Sequence, residues 1–134
     1  MKSLVKKYRR DLHRIPEIGY DLYKTNAYVM EQLQQYSCEI TKLYKTGIAA
    51  FFRSKMESIP AGVRKYTIAL RGDMDALPIT EETGADYAST HEGAMHACGH
   101  DGHTAILLAM AGELDKIMHT IPHNVLLIFQ PAEE

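Results

Sequence analysis

No stretch of the chain leaves the fold less choice than "HTAILLAMAGELDKIM" followed, past Pro122, by "NVLLIFQP". In the first, Ala105, Leu108, Ala109, Met110, Gly112 and Leu114 make the early turns of a helix apolar nearly all round, so it should be mostly buried. The five apolar residues in a row in the second are the mark of a strand covered on both faces. Upstream, "KYTIALRGDMDA" carries a third apolar run, Tyr66 to Leu70, that reads as another strand. Strand, helix, strand in this order predicts a parallel βαβ unit with a right-handed crossover, within an α/β domain whose mainly parallel or mixed sheet is flanked by helices.

Earlier segments fit the same class. "SLVKKYRRDLHR" has Leu4, Val5, Tyr8 and Leu12 at helical spacing, with Ser3 placed to cap its start and Pro16 ending it. A second helix is expected over residues 25–36, with Ala27, Met30, Leu33 and Gln34 along one side. "CEITKLY" and "GIAAFFRS" read as two strands separated by a Lys-Thr-Gly turn, and Pro60 and Gly62 mark another turn. Leu77 to about Ala97 is a long, polar, glycine-containing loop, and long loops are often functional.

The 134 residues suffice for one modest domain. A net charge of −2, from 15 basic and 17 acidic residues, gives no global pull toward nucleic acid. The cluster Lys6, Lys7, Arg9 and Arg10 reads as a solvated helix face. No stretch approaches the ~20 apolar residues of a membrane span, and no apolar run follows the charged N-terminus as in a secretory signal. With two cysteines, Cys38 and Cys98, the chain is no disulfide scaffold; both are expected reduced, Cys38 as a buried structural thiol. The expected location is the cytoplasm.

The chemistry gathers in "GAMHACGHDGHTA", residues 93–105. Ligands of sheets covered by helices collect at the carboxyl ends of strands. One candidate strand ends there in Asp73 and Asp75, another in Glu133 and Glu134, and the Cys/His segment lies between them. Cys98 as thiolate, neutral His100 and a carboxylate are ordinary ligands of a divalent, zinc-like ion. Cys98 and His100 are separated only by Gly99, so both side chains can point one way while the glycine leaves room for the ion. Of two adjacent carboxylates, one can bind metal and the other can activate water as general base. Each signal also has a plainer reading: a buried thiol for Cys98, a hydrogen-bonded structural histidine for His103, turn caps for Asp73 and Asp75, surface charge for the two glutamates. His91, His119 and His123 are expected at the surface or in loops.

Four stretches, "RRDLHRIPEIGYDLYKT", "ALRGDMDALPI", "HEGAMHACGHDGHTA" and "IFQPAEE", resemble in this order the N-terminal signatures of the M20 metallopeptidase family. The likeness is strongest to its amidohydrolase branch of aminoacylases, hippurate hydrolases, auxin-conjugate hydrolases and N-acetyl-diaminopimelate deacetylases. The resemblance implies a zinc-exopeptidase-like catalytic domain and hydrolysis of N-acyl amino acids or related small amides. It implies two divalent ions, zinc or manganese with cobalt as an alternative, bound by Cys98, His100 and Glu134. Glu133 is implied as the catalytic base, with Asp75, Asp101 and His103 behind the ligands. It also implies further histidine ligands, further strands and an inserted domain that forms homo-oligomers, so residues 1–134 are expected to be the N-terminal part of such a domain. Two other readings stay open: a dipeptidase or carboxypeptidase of the same family, and a non-catalytic metal-binding or association fragment.

Overall fold

The computed structural model describes residues 1–134. In chain order it contains α1 (Lys2–His13), α2 (Tyr23–Leu33), β1 (Glu39–Lys42), β2 (Ile48–Phe52), β3 (Thr67–Asp73), α3 (His100–Ile117) and β4 (Asn124–Gln130). The four strands form one sheet in the order β1-β2-β4-β3. β3 and β4 run parallel with α3 crossing between them, as expected. The sheet is mixed rather than mainly parallel, because the β1–β2 and β2–β4 pairings are both antiparallel. The β1–β2 turn explains the first of these: Lys45 takes a left-handed φ of 54°, and Leu43 N–H donates to Gly47 O at 2.9 Å, closing a hairpin.

One face of the sheet holds the core. Ile48, Ala50 and Phe52 of β2 stand opposite Phe129, Leu127 and Val125 of β4, and all six are buried. α3 lies over this face, and at Gly72 it comes so near that an added Cβ would stand 2.9 Å from Leu107 Cδ1. α1 packs in turn on α3, with Tyr8, Leu12 and His13 buried. The other face is not covered as the apolar run of β4 suggested. Along β4 burial alternates, with Leu126 and Ile128 only half-buried. α3 is likewise not buried all round, since Ile106 and Ile117 face solvent at 50% and 41% exposure.

Helix ends also depart from expectation. α1 begins at Lys2, so Ser3 lies inside its first turn and caps nothing. α2 begins earlier and ends earlier than residues 25–36, and it buries Thr25, Val29 and Leu33; of the expected side Leu33 is buried, Met30 is half-buried, and Ala27 and Gln34 are exposed. Its start is fixed from outside the helix: Glu17 Oε1 accepts the Thr25 N–H at 2.7 Å and Oε2 accepts the Lys24 N–H at 3.1 Å. That carboxylate meets two of the N–H groups every helix start leaves open. The loop carrying Glu17 reaches further. Glu17 O accepts the Ala76 N–H at 2.8 Å and Gly19 O accepts the Ala132 N–H at 3.0 Å. One loop thus clamps the turns that follow β3 and β4, and Ala132 itself bends with φ 51°.

Candidate metal centre

Three chain segments meet at the carboxyl ends of β3 and β4: the Asp73–Asp75 turn, the start of α3, and Glu133–Glu134. Gly99 stands before α3 with φ 96°, a left-handed conformation that side chains disfavour. The reversal puts Cys98 and His100 on one side. Cys98 Sγ, a His100 ring nitrogen and a Glu134 carboxylate oxygen lie within 4.8 Å of one another. Sulfur, imidazole and carboxylate in one cluster are a donor set that suits a zinc-like ion.

His100 is 2% exposed, and its orientation is fixed. Its Nδ1–H donates to Asp75 O at 2.9 Å, which leaves Nε2 to face the acidic groups. Nε2 is 3.5 Å from Glu133 Oε2, 3.6 Å from Glu134 Oε1 and 3.7 Å from Asp73 Oδ1. Asp75, 1% exposed, secures the opposite wall: its Oδ2 accepts the backbone N–H groups of both Glu133 and Glu134 at 3.1 Å. A single aspartate therefore holds one ligand by its carbonyl and the two glutamates by its carboxylate.

Asp73, His100 and His103 form a second group of donors within the same reach. His103 Nδ1 donates to Asp73 Oδ1 at 2.6 Å, Arg71 binds Asp73 Oδ2 at 2.9 Å, and the His103 ring stacks on His100 with centroids 5.7 Å apart. Burial works to raise the Asp73 carboxyl, but the His103 hydrogen bond and the neighbouring His100 outweigh it and hold the group below the usual carboxylate range. Both donor groups rely on His100. Its Nδ1 is already engaged, so the single lone pair of Nε2 can serve one ion at a time. At Cys98, the hydrogen-bonded Glu134 carboxylate, with Glu133 and Asp73 nearby, pushes the thiol up from its ordinary value.

Asp101 is brought to the site's edge but turned away from the ligands. Its Oδ1 accepts the Gly102 N–H at 2.8 Å, and its Oδ2 accepts from His13 Nδ1 at 2.7 Å and from Arg9 at 3.4 Å. His13 continues the chain to Glu81, with Nε2 3.2 Å from Oε1. His96 is buried, neither ring nitrogen has a partner, and burial pushes its pKa down to about 4. The sequence did not single out His13, Glu81 or His96. For His13 a signal existed, because it follows Leu12 on the buried side of α1; for Glu81, inside a polar loop, there was none. His119 is exposed, whereas His91 is half-buried and bonds Pro16 O at 2.7 Å. Both thiols are free, and Cys38 is only half-buried, with burial raising its pKa.

The chain resembles known proteins in sequence and in fold. The family described as peptidase family M20/M25/M40 matches residues 69–134. N-acetyldiaminopimelate deacetylase of Streptococcus gordonii is 47% identical over 134 residues, covering 96% of this chain and 33% of the relative. The enzyme of the same name from Oceanobacillus iheyensis is 45% identical over 137 residues, covering 100% of this chain and 34% of the relative. Among solved structures, a dinuclear metal binding peptidase of the M20 family from Bacillus subtilis superposes with a TM-score of 0.86 at 36% identity, over 98% of this chain and 35% of that one. The chain thus spans about a third of the length of the relatives it matches.

Proposed function

Because the chain belongs to the M20 peptidase family, as the N-terminal part of its catalytic domain, we propose that it takes part in metal-dependent hydrolysis of the amide bond of N-acyl amino acids. The observation that carries this reading is the convergence of Cys98, His100 and Glu134, with Glu133 beside them. The donor set fits a divalent ion of the zinc or manganese type, and the two stretches that supply it are fixed through one residue, Asp75. The names of the deacetylase relatives favour a small acetyl group on an amino acid over a dipeptide.

In this reading Cys98, His100 and Glu134 hold the ion, which when bound supplies Lewis acidity toward water and the amide carbonyl. Glu133 does the proton work. Its carboxylate is 39% exposed, so substrate and water can reach it, and Oε2 lies 3.5 Å from His100 Nε2, at the edge of the ligand set. Oε2 takes a proton from the attacking water and gives it to the departing amine nitrogen. Asp75 keeps the backbone of Glu133 in register with His100 throughout. His103, braced by Asp73, limits rotation of the His100 ring. A cytoplasmic location and homo-oligomers of the whole protein belong to the same proposal.

Elemental analysis of the purified protein beside Cys98→Ala and Glu133→Gln tests it, together with release of amine from N-acetyl amino acids. Metal should be retained in Glu133→Gln and lost in Cys98→Ala. Turnover should fall by about 10²–10⁴-fold in Glu133→Gln. Full turnover by Glu133→Gln would remove the proposed base, and a metal content unaffected by Cys98→Ala would remove the proposed ligand set.

A further inference from the structure

Beside the metal centre lies a cavity of about 260 Å³ that the proposed hydrolysis does not use. Its wall includes Arg9, His13, Glu81, Tyr87, Met95 and His96. It is smaller than the ~300–1,000 Å³ of drug-sized pockets, which suits a small organic acid better than a peptide.

Hydrogen-bonding capacity is left unmet in the wall. Glu81 is paired on both oxygens: Oε1 accepts from Thr83 at 2.5 Å and faces His13, and Oε2 accepts the Ser89 N–H at 2.7 Å. His13 has a carboxylate oxygen against each ring nitrogen. The carboxylates there are already paired with protein donors. Donors are left over. His96 is 4% exposed with no partner for either nitrogen, and an imidazole carries at least one N–H. Arg9 uses only Nε, at a long 3.4 Å, and its guanidinium fork remains free. Across Arg9 and Tyr87 the cavity adjoins a smaller cleft of about 120 Å³ lined by Lys6, Arg9, Arg10 and Tyr87, where the Arg10 guanidinium sits 4.7 Å from the centre of the Tyr87 ring. The basic cluster is a solvated helix face, as expected, and three of its members, Lys6, Arg9 and Arg10, stand at the cleft that adjoins a cavity with a buried, unpartnered imidazole in its wall. A cationic mouth attracts anions, and a guanidinium fork matches the two oxygens of a carboxylate.

We propose that this cavity is a carboxylate-binding subsite, entered past Lys6, Arg9 and Arg10 and reaching His96. The assignment stands on the cavity and does not need the metal centre to be catalytic. The carboxylate belongs either to the N-acyl amino acid being hydrolysed or to a separate small acid.

The test is a titration of the full chain with succinate, in buffer containing a chelator so that no metal contributes, followed through the histidine ring ¹⁵N signals. The expected result is a saturable shift of the His96 signals and binding weakened about tenfold in Arg9→Gln. Arg9 is half-exposed, so this variant should keep the fold; Lys6→Gln with Arg10→Gln is the second probe and should slow or weaken binding. Shifts that never saturate, that sodium chloride of equal ionic strength reproduces, or an affinity unchanged in Arg9→Gln would overturn the proposal. Adding an N-acetyl amino acid separates the sources: displacement of succinate assigns the subsite to the substrate's own carboxylate, and simultaneous binding assigns it to a free acid. A failed titration leaves the hydrolysis reading untouched, because no turnover is measured.

Discussion

Cys98 is exposed beside the carboxylates of Glu134, Glu133 and Asp73, which help to keep its proton on. Removing the nearest charge should release it. Glu134→Gln is expected to lower the thiol pKa and to speed alkylation of Cys98 by iodoacetamide at pH 8, with Cys38, raised by burial, as the slow internal reference. An unchanged rate would mean that Glu134 does not govern the thiol. His96 acts on stability in the opposite pH direction from a salt-bridged histidine. Its folded pKa of about 4 lies below the unfolded value near 6.5, so between these values the unfolded chain binds more protons and stability falls as pH falls. The full effect is roughly 3 kcal/mol. Urea melts at pH 7, 5.5 and 4.5 should show the loss in the wild type and a shallower dependence in His96→Phe. Chemically distinctive residues close in sequence were legible here: Cys98, His100, Glu133 and Glu134 stand out by type. The His13–Asp101 contact bridges residues 88 positions apart, and no local pattern announces it.

Among the elements, the turn into α3 and the start of α2 carry the most testable geometry. Gly99→Ala must hold a side chain at φ 96°, at a cost of about 1–2 kcal/mol. Because this reversal aligns Cys98 with His100, the variant should also bind Co²⁺ more weakly, read from the intensity of the thiolate-to-cobalt absorption. Glu17→Ala uncovers the Lys24 and Thr25 N–H groups and should cost about 1–2 kcal/mol in a urea melt. If Glu17→Ala is neutral, the α2 start is held by packing instead. The apolar periods of α1 and α3 and the run of β4 are readable because side-chain spacing encodes them directly. Helix starts are not, when the capping group comes from another part of the chain. Ser3 looks like a cap by residue type, yet α1 starts before it; Glu17, six residues before α2 begins, does the capping.

At the scale of the molecule, the order of elements is legible but the environment of the sheet is not. "NVLLIFQP" has the composition of a strand enclosed on both sides, and in these 134 residues only one side is enclosed. Composition records what a strand is suited to, whereas burial depends on every element brought against it. Zinc should stabilise the folded chain by about 2.7 kcal/mol when free metal is 100-fold above its dissociation constant, and should do little for Cys98→Ala, a contrast visible in paired thermal melts. The clamp built by residues 16–20 bears on time as well as on form. It ties the turn after β3 to the turn after β4, and the donors near these turns come from stretches that the β3–β4 pairing helps to unite. A captured ion would therefore work as a latch on that pairing. Its escape should keep pace with the opening of β4, so metal release and amide exchange in this strand should share one clock.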